Sequence, residues 1–273
     1  MYKIFLSVRN RLSITKHCIA GIKKHSKVEY KLYVFDNLTN YKTKEHFEYF
    51  GSLYENNLIS QVTFNTYDST FGAFSKATSC NQFGLNHIID PYRDDYEFLL
   101  FLDNDMIVTP GFDEILSNAW KDVHKKGLKN IKIITQMPGG MVDKRIFEHQ
   151  LGEKDCIIGK YGGSGFWSVK PNFFDDVGFL KLKKLVGLNK KHDQEYWKLL
   201  SKFGNEYIVG LNAKMSMHMG CLAGSICNSL SRMGNTKQAL DKIKFEQQEE
   251  ELDKLSFDDF YNSISNKEDL YRW

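Results

Sequence analysis

The chain has 273 residues, of which 42% are hydrophobic and 26% are charged, and its net charge is +3. This composition is typical of a globular protein with a sizeable core, and so small a net charge favours neither nucleic acid nor an anionic membrane as a partner. No apolar run is long enough for a transmembrane segment, and the apolar stretch at the start is too short for a secretory signal. The five cysteines are scattered without a C-x-x-C pair, which predicts free thiols and a cytoplasmic protein with neither disulfides nor a zinc site.

Strands alternate with helices through the first half of the chain. Apolar runs predict strands at Lys3–Val8, Tyr30–Asp36, Ser60–Thr66, Tyr96–Leu102 and Ile131–Gln136. Helical periodicity predicts helices at Ser13–Lys24, Lys42–Asn56 and Ser75–Ile89, and a further helix capped by Thr109 with Pro110 in its first position. This alternation indicates an α/β protein with a mostly parallel central sheet.

The second half of the chain is less regular. Residues 137–161 show no clear periodicity and read as a loop-rich connector, and the glycine-rich stretch Tyr161–Pro171 turns into a strand. An amphipathic helix is predicted at His192–Phe203, with Gly204 as its stop, and two short strands follow. A charged helix is predicted at Thr236–Leu255, packed on the core or on a second subunit of a homo-oligomer. Its expected apolar anchors are Ile243, Phe245, Leu252 and Leu255.

Two carboxylates follow the fourth predicted strand. Five apolar residues without alternation, Phe98–Leu102, indicate a parallel strand covered on both faces, and they lead directly into Asp103-Asn104-Asp105. Ligands of such sheets bind at the carboxyl ends of the strands, so we expect Asp36 and Asp103 to share one edge. Unpaired carboxylates in one small volume repel each other, and a bound Mg²⁺ or Mn²⁺ that carries a diphosphate would resolve this. The alternative interpretation is an ordinary surface turn.

Six segments, taken in order, resemble the family-2 glycosyltransferases, which have the GT-A fold. They are "IFLSVRNRLSITKHCIAGI", "YVFDNLTN", "FGAFSKATSCNQFG", "LLFLDNDMIVTPGF", "GGSGFWSVKPNFFDDVGFL" and "HDQEYWKLLSKFGNEYIVGLNAKMSMHMG". The resemblance implies a single GT-A domain at residues 1–220, with a nucleotide-sugar-binding half at 1–110 and an acceptor-side half at 111–220. Residues 221–273 would then form a C-terminal helical extension.

The resemblance also implies roles at the donor site. Asp105 would bind Mn²⁺ or Mg²⁺ directly, His218 would be a further protein ligand, and Asp103 would face the ribose and reach the metal through water. The implied nucleotide-binding residues are Val8, Asn10, Asp36, Lys76, Asp103 and Asn104. Among them Asp36 would accept a hydrogen bond from the base, for which uracil is the favoured candidate.

On the acceptor side, the resemblance implies that Gly163, Ser164 and Trp167 lie near the sugar. Asp193 would be the general base for a single displacement that inverts the anomeric carbon. Members of the family often carry Glu-Asp at the place of His192-Asp193, so this sequence keeps the aspartate and departs at its neighbour.

Each of these roles has a simpler structural alternative. Asp193 can be a helix N-cap, His218 a packed core histidine, Asp36 an Asx-turn residue and Trp167 a core aromatic.

Two other functions stay open at this stage. A haloacid-dehalogenase-like phosphatase also uses an apolar strand followed by D-x-D, with Asp103 as nucleophile, although that motif belongs on the first core strand rather than the fourth. The other alternative is a nucleotide-sugar-binding protein without turnover. The donor sugar and the acceptor, whether a glycan, lipid carrier, protein or nucleic acid, are not indicated.

Overall fold

A computed structural model describes residues 1–8, 11–36, 42–64, 96–137, 149–159, 165–177, 199–204, 206–219 and 246–267. Its strands are β1 (Tyr2–Val8), β2 (Tyr30–Asp36), β3 (Gln61–Phe64), β4 (Leu99–Asp103), β5 (Met106–Val108), β6 (Ile133–Gln136), β7 (His149–Leu151), β8 (Lys154–Gly159), β9 (Phe166–Val169), β10 (Ile208–Leu211) and β11 (Ser216–His218). A nine-stranded sheet has the order β3-β2-β1-β4-β9-β6-β10-β8-β7, and β11 and β5 form a separate two-stranded sheet. Only β9 and β8 run against the others in the large sheet, which confirms the predicted α/β fold with a mostly parallel sheet.

The helices of the described residues are α1 (Leu12–His25), α2 (Thr43–Glu55), α3 (Phe112–Lys125), α4 (Phe173–Val177) and α5 (Phe257–Ile264), with a 3₁₀ turn at Ser201–Phe203. Residues 246–253 are also helical. Within the described residues, no helix is both long and apolar enough to cross a membrane.

The two central strands are buried on both faces. In β4, Leu100 and Leu102 belong to one hydrophobic cluster, whereas Leu99 and Phe101 belong to a second cluster on the other side of the sheet. This explains the apolar run without alternation, because a strand covered on both faces has no solvent side that would favour polar residues.

Most elements of the first half match the sequence prediction within a few residues, but two features differ. Helix α3 begins later than predicted, at Phe112, because Gly111 takes the cap position with φ 73°, and the Thr109 hydroxyl donates to the carbonyl of Lys214 at 2.5 Å instead of capping the helix. The predicted loop-rich connector contains the short strands β7 and β8. Strands this short show little alternation of apolar and polar residues in the sequence. The predicted helix Ser75–Ile89 lies outside the described residues.

The end of the predicted helix His192–Phe203 is confirmed where the structure describes it. Leu200 is buried. Gly204 caps the 3₁₀ turn that ends this segment, with φ 98°, a conformation that favours glycine. Of the cysteines that the structure describes, Cys18 and Cys156 are buried free thiols, as predicted.

The C-terminal segment packs against α1, as predicted for a helix on the core. The backbone N–H of Ser13 donates to Glu249 Oε2 at 3.1 Å, the His17 ring contacts the Leu252 carbonyl at 3.0 Å, and the same ring stacks on Phe260 with centroids 4.2 Å apart. The expected anchor Leu255 is instead 43% exposed, and the buried apolar side chains of this segment include Phe260 and Ile264 of α5.

A buried carboxylate fastens the loop between α1 and β2. Asp113 of α3 is fully buried, and its Oδ2 accepts hydrogen bonds from the backbone N–H groups of Lys27 and Val28, each at 2.8 Å. The Tyr2 hydroxyl also donates to this oxygen, at 3.3 Å. The carboxylate thus satisfies donors that would otherwise be buried without a partner.

Replacement of Asp113 is therefore expected to destabilise the fold. Asp113→Ala leaves buried N–H groups unsatisfied, and each such group costs about 1–3 kcal/mol. Chemical denaturation should show a loss of about 2–4 kcal/mol. The neighbouring exposed Glu114→Ala is the control, with a change within about 0.5 kcal/mol. Equal midpoints for the two variants would contradict the role of Asp113.

Candidate donor-binding site

Strand pairing places two predicted site residues at one edge of the sheet. The parallel register pairs Val8 with Asp36, and it pairs Ser7 with Asp103 on the other side of β1. Asp36 and Asp103 therefore both lie at carboxyl ends of strands, on either side of β1, as the sequence predicts.

The turn after β4 is fixed by neighbouring backbone. The N–H of Asp103 donates to the Gly165 carbonyl, and the N–H of Asn104 donates to the Ser7 carbonyl, each at 3.0 Å. The Asn104 side chain is buried and donates to Thr15 Oγ1 of α1 at 2.8 Å. This contact assigns Asn104 an anchoring role, while its predicted nucleotide contact is untested.

His218 reaches this turn through the two-stranded sheet. Antiparallel pairing sets His218 opposite Met106, and the N–H of Met219 donates to the Asp105 carbonyl at 2.8 Å. The imidazole Nε2 lies 3.5 Å from Asp105 Oδ2. The structure thus brings together Asp105 and His218, which are separated by more than a hundred residues of chain.

Arg11 contacts the same carboxylate, and the sequence analysis did not assign it a role. Its Nη1 lies 2.7 Å from Asp105 Oδ2, with only 12% and 14% of the two side chains exposed. Arg11 precedes α1 with a left-handed backbone conformation, φ 55°. This conformation is uncommon for residues other than glycine, and such residues are found disproportionately at functional sites. The only sequence signal was its place in the Arg-Asn-Arg segment that follows the first predicted strand.

The charges around Asp105 act on each other. Burial alone would raise the pKa of Asp105, but the hydrogen bond from His218 and the charge of Arg11 lower it below its usual value. Burial would lower the pKa of His218, but its contact with Asp105 outweighs burial and raises it. Both groups are therefore stabilised in their charged forms.

Asp36 has a different partner. Its Oδ2 accepts a hydrogen bond from Nδ1 of His46 on α2 at 2.7 Å, and both side chains are almost completely buried. Burial raises the pKa of Asp36, and the hydrogen bond and charge of His46 oppose this increase only in part. Within the described residues, Asp36 Oδ1 and His46 Nε2 have no hydrogen-bond partner, and an unsatisfied buried polar group costs about 1–3 kcal/mol.

Gly165 allows close approach to the D-x-D turn. A Cβ at this position would lie 3.2 Å from Met106 Sδ and 3.4 Å from Asp103 Oδ2, so a side chain here would press on the carboxylate. In the sequence, Gly165 is visible only as part of the glycine-rich stretch Tyr161–Pro171.

Two other predicted residues lie within the core. Val8, the last residue of β1, is fully buried in a hydrophobic cluster. Trp167 is 2% exposed and stacks on Phe101 with ring centroids 3.9 Å apart. For Trp167 this supports the core alternative over a place beside the sugar. The remaining predicted residues lie outside the described part of the chain: Asn10, Lys76, Gly163, Ser164 and Asp193.

Asp105 and His218 supply the donor types of a divalent-metal site. A carboxylate oxygen and an imidazole nitrogen are both ligands of Mn²⁺. Asp103 lies in the same turn as Asp105. Within the described residues, no three acidic, histidine or cysteine side chains are already gathered as a complete metal site. Arg11 holds the carboxylate oxygen that a metal would need, so a cation would have to share or replace that contact.

Comparison with known proteins supports the fold rather than a sequence family. No protein-family model matches this sequence, and no curated protein matches it by sequence. Among solved structures, it is similar to residues 1–349 of TarS from S. aureus in complex with UDP, at 13% identity and a TM-score of 0.51, over 88% of this chain and 68% of that chain. It is also similar to GalNAc-T7 with UDP, GalNAc and Mn²⁺, at 12% identity and a TM-score of 0.52, over 77% of this chain and 43% of that one.

A third similar structure is the mannosyltransferase PcManGT from Pyrobaculum calidifontis in complex with GDP-Man and Mn²⁺. It matches at 10% identity and a TM-score of 0.50, over 76% of this chain and 53% of that chain. The present chain thus spans about half the length of two of these three proteins. These similarities identify the fold as the GT-A type of glycosyltransferases, as the sequence motifs predict.

A double-mutant cycle tests the contact between Arg11 and Asp105. We expect Arg11→Met and Asp105→Asn each to lower the free energy of unfolding measured in EDTA, because each leaves a mostly buried partner without its counter-charge. The double variant should lose less than the sum of the two, by about 1–3 kcal/mol. Arg11→Lys is the charge-conserving control. Strict additivity would show that the pair is not coupled.

Proposed function

We propose that this protein is a glycosyltransferase that moves a sugar from a nucleoside-diphosphate sugar to an acceptor hydroxyl. The observation that carries the proposal is the contact of His218 with Asp105, directly after the strand end that carries Asp103 at the carboxyl edge of the sheet. In open α/β sheets, ligands bind at this edge. The fold is shared with proteins whose solved complexes contain UDP or GDP-Man, which supports the same class of donor here.

We assign the diphosphate to the D-x-D turn, with a divalent cation held by Asp105 and His218. When bound, such a cation would stabilise the negative charge that develops on the leaving diphosphate. We assign Asp103 to the ribose, and it would reach the metal through water. Arg11 brings a second cation to the same oxygen, so the site would bind a diphosphate with several positive charges.

For the acceptor, we assign proton removal to Asp193, which the family resemblance places at the start of the helix that ends at Gly204. A general base opposite the leaving group would give inversion in a single displacement. The transferred group is proposed to be a hexosyl group and the favoured nucleotide UDP.

The alternative functions predict different experimental outcomes. A haloacid-dehalogenase-like phosphatase would carry its D-x-D motif on the first core strand, whereas this motif follows β4. It would also release inorganic phosphate rather than transfer sugar. A nucleotide-sugar-binding protein without turnover would bind donor and neither transfer nor slowly hydrolyse it.

The metal role predicts that donor binding depends on Asp105. A panel of nucleotide sugars screened by calorimetry with Mn²⁺ should show binding that EDTA removes. Asp105→Ala should lose this metal-dependent binding, because it removes the carboxylate proposed to bind the cation, and His218→Ala should weaken it less. The exposed Asp259→Asn of α5 is the control and should bind as the parent does. Equal affinity with and without EDTA would contradict the metal role.

The catalytic role predicts a different pattern for Asp193. Asp193→Asn keeps the size and capping ability of the side chain but cannot accept a proton, and a general base contributes about 10²- to 10⁴-fold in rate. We expect turnover of labelled donor to fall at least about 10²-fold, with near-normal donor affinity and melting temperature. Near-normal turnover with a lower melting temperature would instead indicate an N-cap.

A further inference from the structure

Among the described side chains, the two buried polar atoms that lack a hydrogen-bond partner belong to one pair of residues. They are Oδ1 of Asp36 and Nε2 of His46, and the other polar atoms of the same two side chains bond each other at 2.7 Å. Unsatisfied buried groups are few in native proteins and call for an explanation, such as a ligand that completes them. Here the open oxygen lies at the carboxyl end of β2, next to the end of β1.

Packing alone does not account for the histidine. His46 is 2% exposed and contacts the Phe50 ring with centroids 6.1 Å apart, so an apolar side chain would fill this volume without leaving a nitrogen unbonded. The hydrogen bond to Asp36 is the one contact of His46 in which the imidazole has an advantage. The donation from Nδ1 to Oδ2 fixes the carboxylate plane and leaves Oδ1 as the oxygen without a partner among the described residues.

We propose that His46 is a positioning residue that sets base specificity, by holding Asp36 so that its unpartnered Oδ1 accepts the N–H of a nucleobase. This rests on the proposed function, because it assumes that the site binds a nucleoside diphosphate. The base must carry a ring N–H flanked by a carbonyl, as uracil does at N3 and guanine at N1. Cytosine and adenine have a lone pair at the corresponding ring nitrogen and would face the carboxylate oxygen with repulsion.

The electrostatics agree with this arrangement. Burial raises the pKa of Asp36, and the contact with His46 acts in the opposite direction and favours the carboxylate. An ionised acceptor makes a stronger hydrogen bond to an N–H than a neutral one does. Without His46, the carboxyl group would be free to rotate and would lose the group that favours its charged form.

The experiment compares nucleotide binding by two variants of His46. Asn places its side-chain N–H near the position of imidazole Nδ1, so His46→Asn should keep the hydrogen bond to Asp36, whereas His46→Leu removes it. Calorimetry with UDP, CDP and GDP in the presence of Mn²⁺ should show wild-type preference for UDP or GDP over CDP. His46→Leu should lose about tenfold or more in affinity for the preferred nucleotide and little for CDP, and His46→Asn should stay within about threefold of wild type.

His25→Asn is the matched control, because His25 is also a buried helix histidine whose Nδ1 bonds an oxygen, the Val108 carbonyl at 2.8 Å. It should leave nucleotide preference unchanged, whatever its effect on the melting temperature. Preference for GDP would identify guanine as the base, and preference for UDP would identify uracil.

Two results would overturn the inference. One is equal loss of UDP, GDP and CDP binding in His46→Leu, which would show a merely structural role. The other is a wild-type protein that binds CDP as tightly as UDP and GDP. If the wild-type protein binds no nucleoside diphosphate at all, the proposed function itself is wrong, so the two failures are distinguishable.

Discussion

The parallel pairing of β1 with β2 on one side and β4 on the other is the constraint on which the candidate site depends. Strands in parallel register end at the same edge, so Asp36 and Asp103 are placed there by backbone hydrogen bonds rather than by contacts of their own. Burial on both faces fixes this register, because a shift by one residue would exchange the side chains that belong to the two hydrophobic clusters. A buried core thus holds polar groups at positions where they are costly in the absence of a ligand.

Helix α1 connects this edge to distant parts of the chain. Arg11, directly before the helix, contacts Asp105, and Thr15 in its first turn accepts from Asn104. On another side, Ser13 bonds Glu249 of the C-terminal segment. Since α1 has no side-chain cap of its own, Glu249 satisfies one of its first N–H groups from a remote segment. The C-terminal segment therefore supports the helix end that carries Arg11, although it is far from the D-x-D turn in sequence.

The sequence predicted the mostly parallel sheet and the place of Asp36 and Asp103 at one of its edges. The metal role given to His218 stays a prediction, and the contacts of Arg11 and His46 were not predicted. Long apolar runs identify buried strands, and an aspartate at the end of such a run is visible without knowledge of the fold. Arg11 and His46 contact carboxylates that lie 94 and 10 residues away along the chain, and no sequence periodicity indicates such contacts. The strands β5, β7 and β8 were missed because pairing partners, rather than local propensity, stabilise such short segments. For Trp167 the sequence left open both a place beside the sugar and a place in the core, and in the structure its ring stacks on Phe101 within the core.

Three carboxylates of the described residues, the buried Asp113 and Asp36 and the mostly buried Asp105, differ in what completes them. Asp113 is satisfied by backbone N–H groups and needs nothing further. Asp105 is held by the side chains of Arg11 and His218, and the guanidinium of Arg11 can also bind phosphate oxygens. Under the proposed function, a diphosphate would give Arg11 a new acceptor, and Asp105 and His218 would hold the cation. Asp36 retains an unbonded oxygen even with His46 in place, and only a donor from outside the described contacts can complete it. The partners of each carboxylate thus indicate which positions serve the fold and which require a ligand.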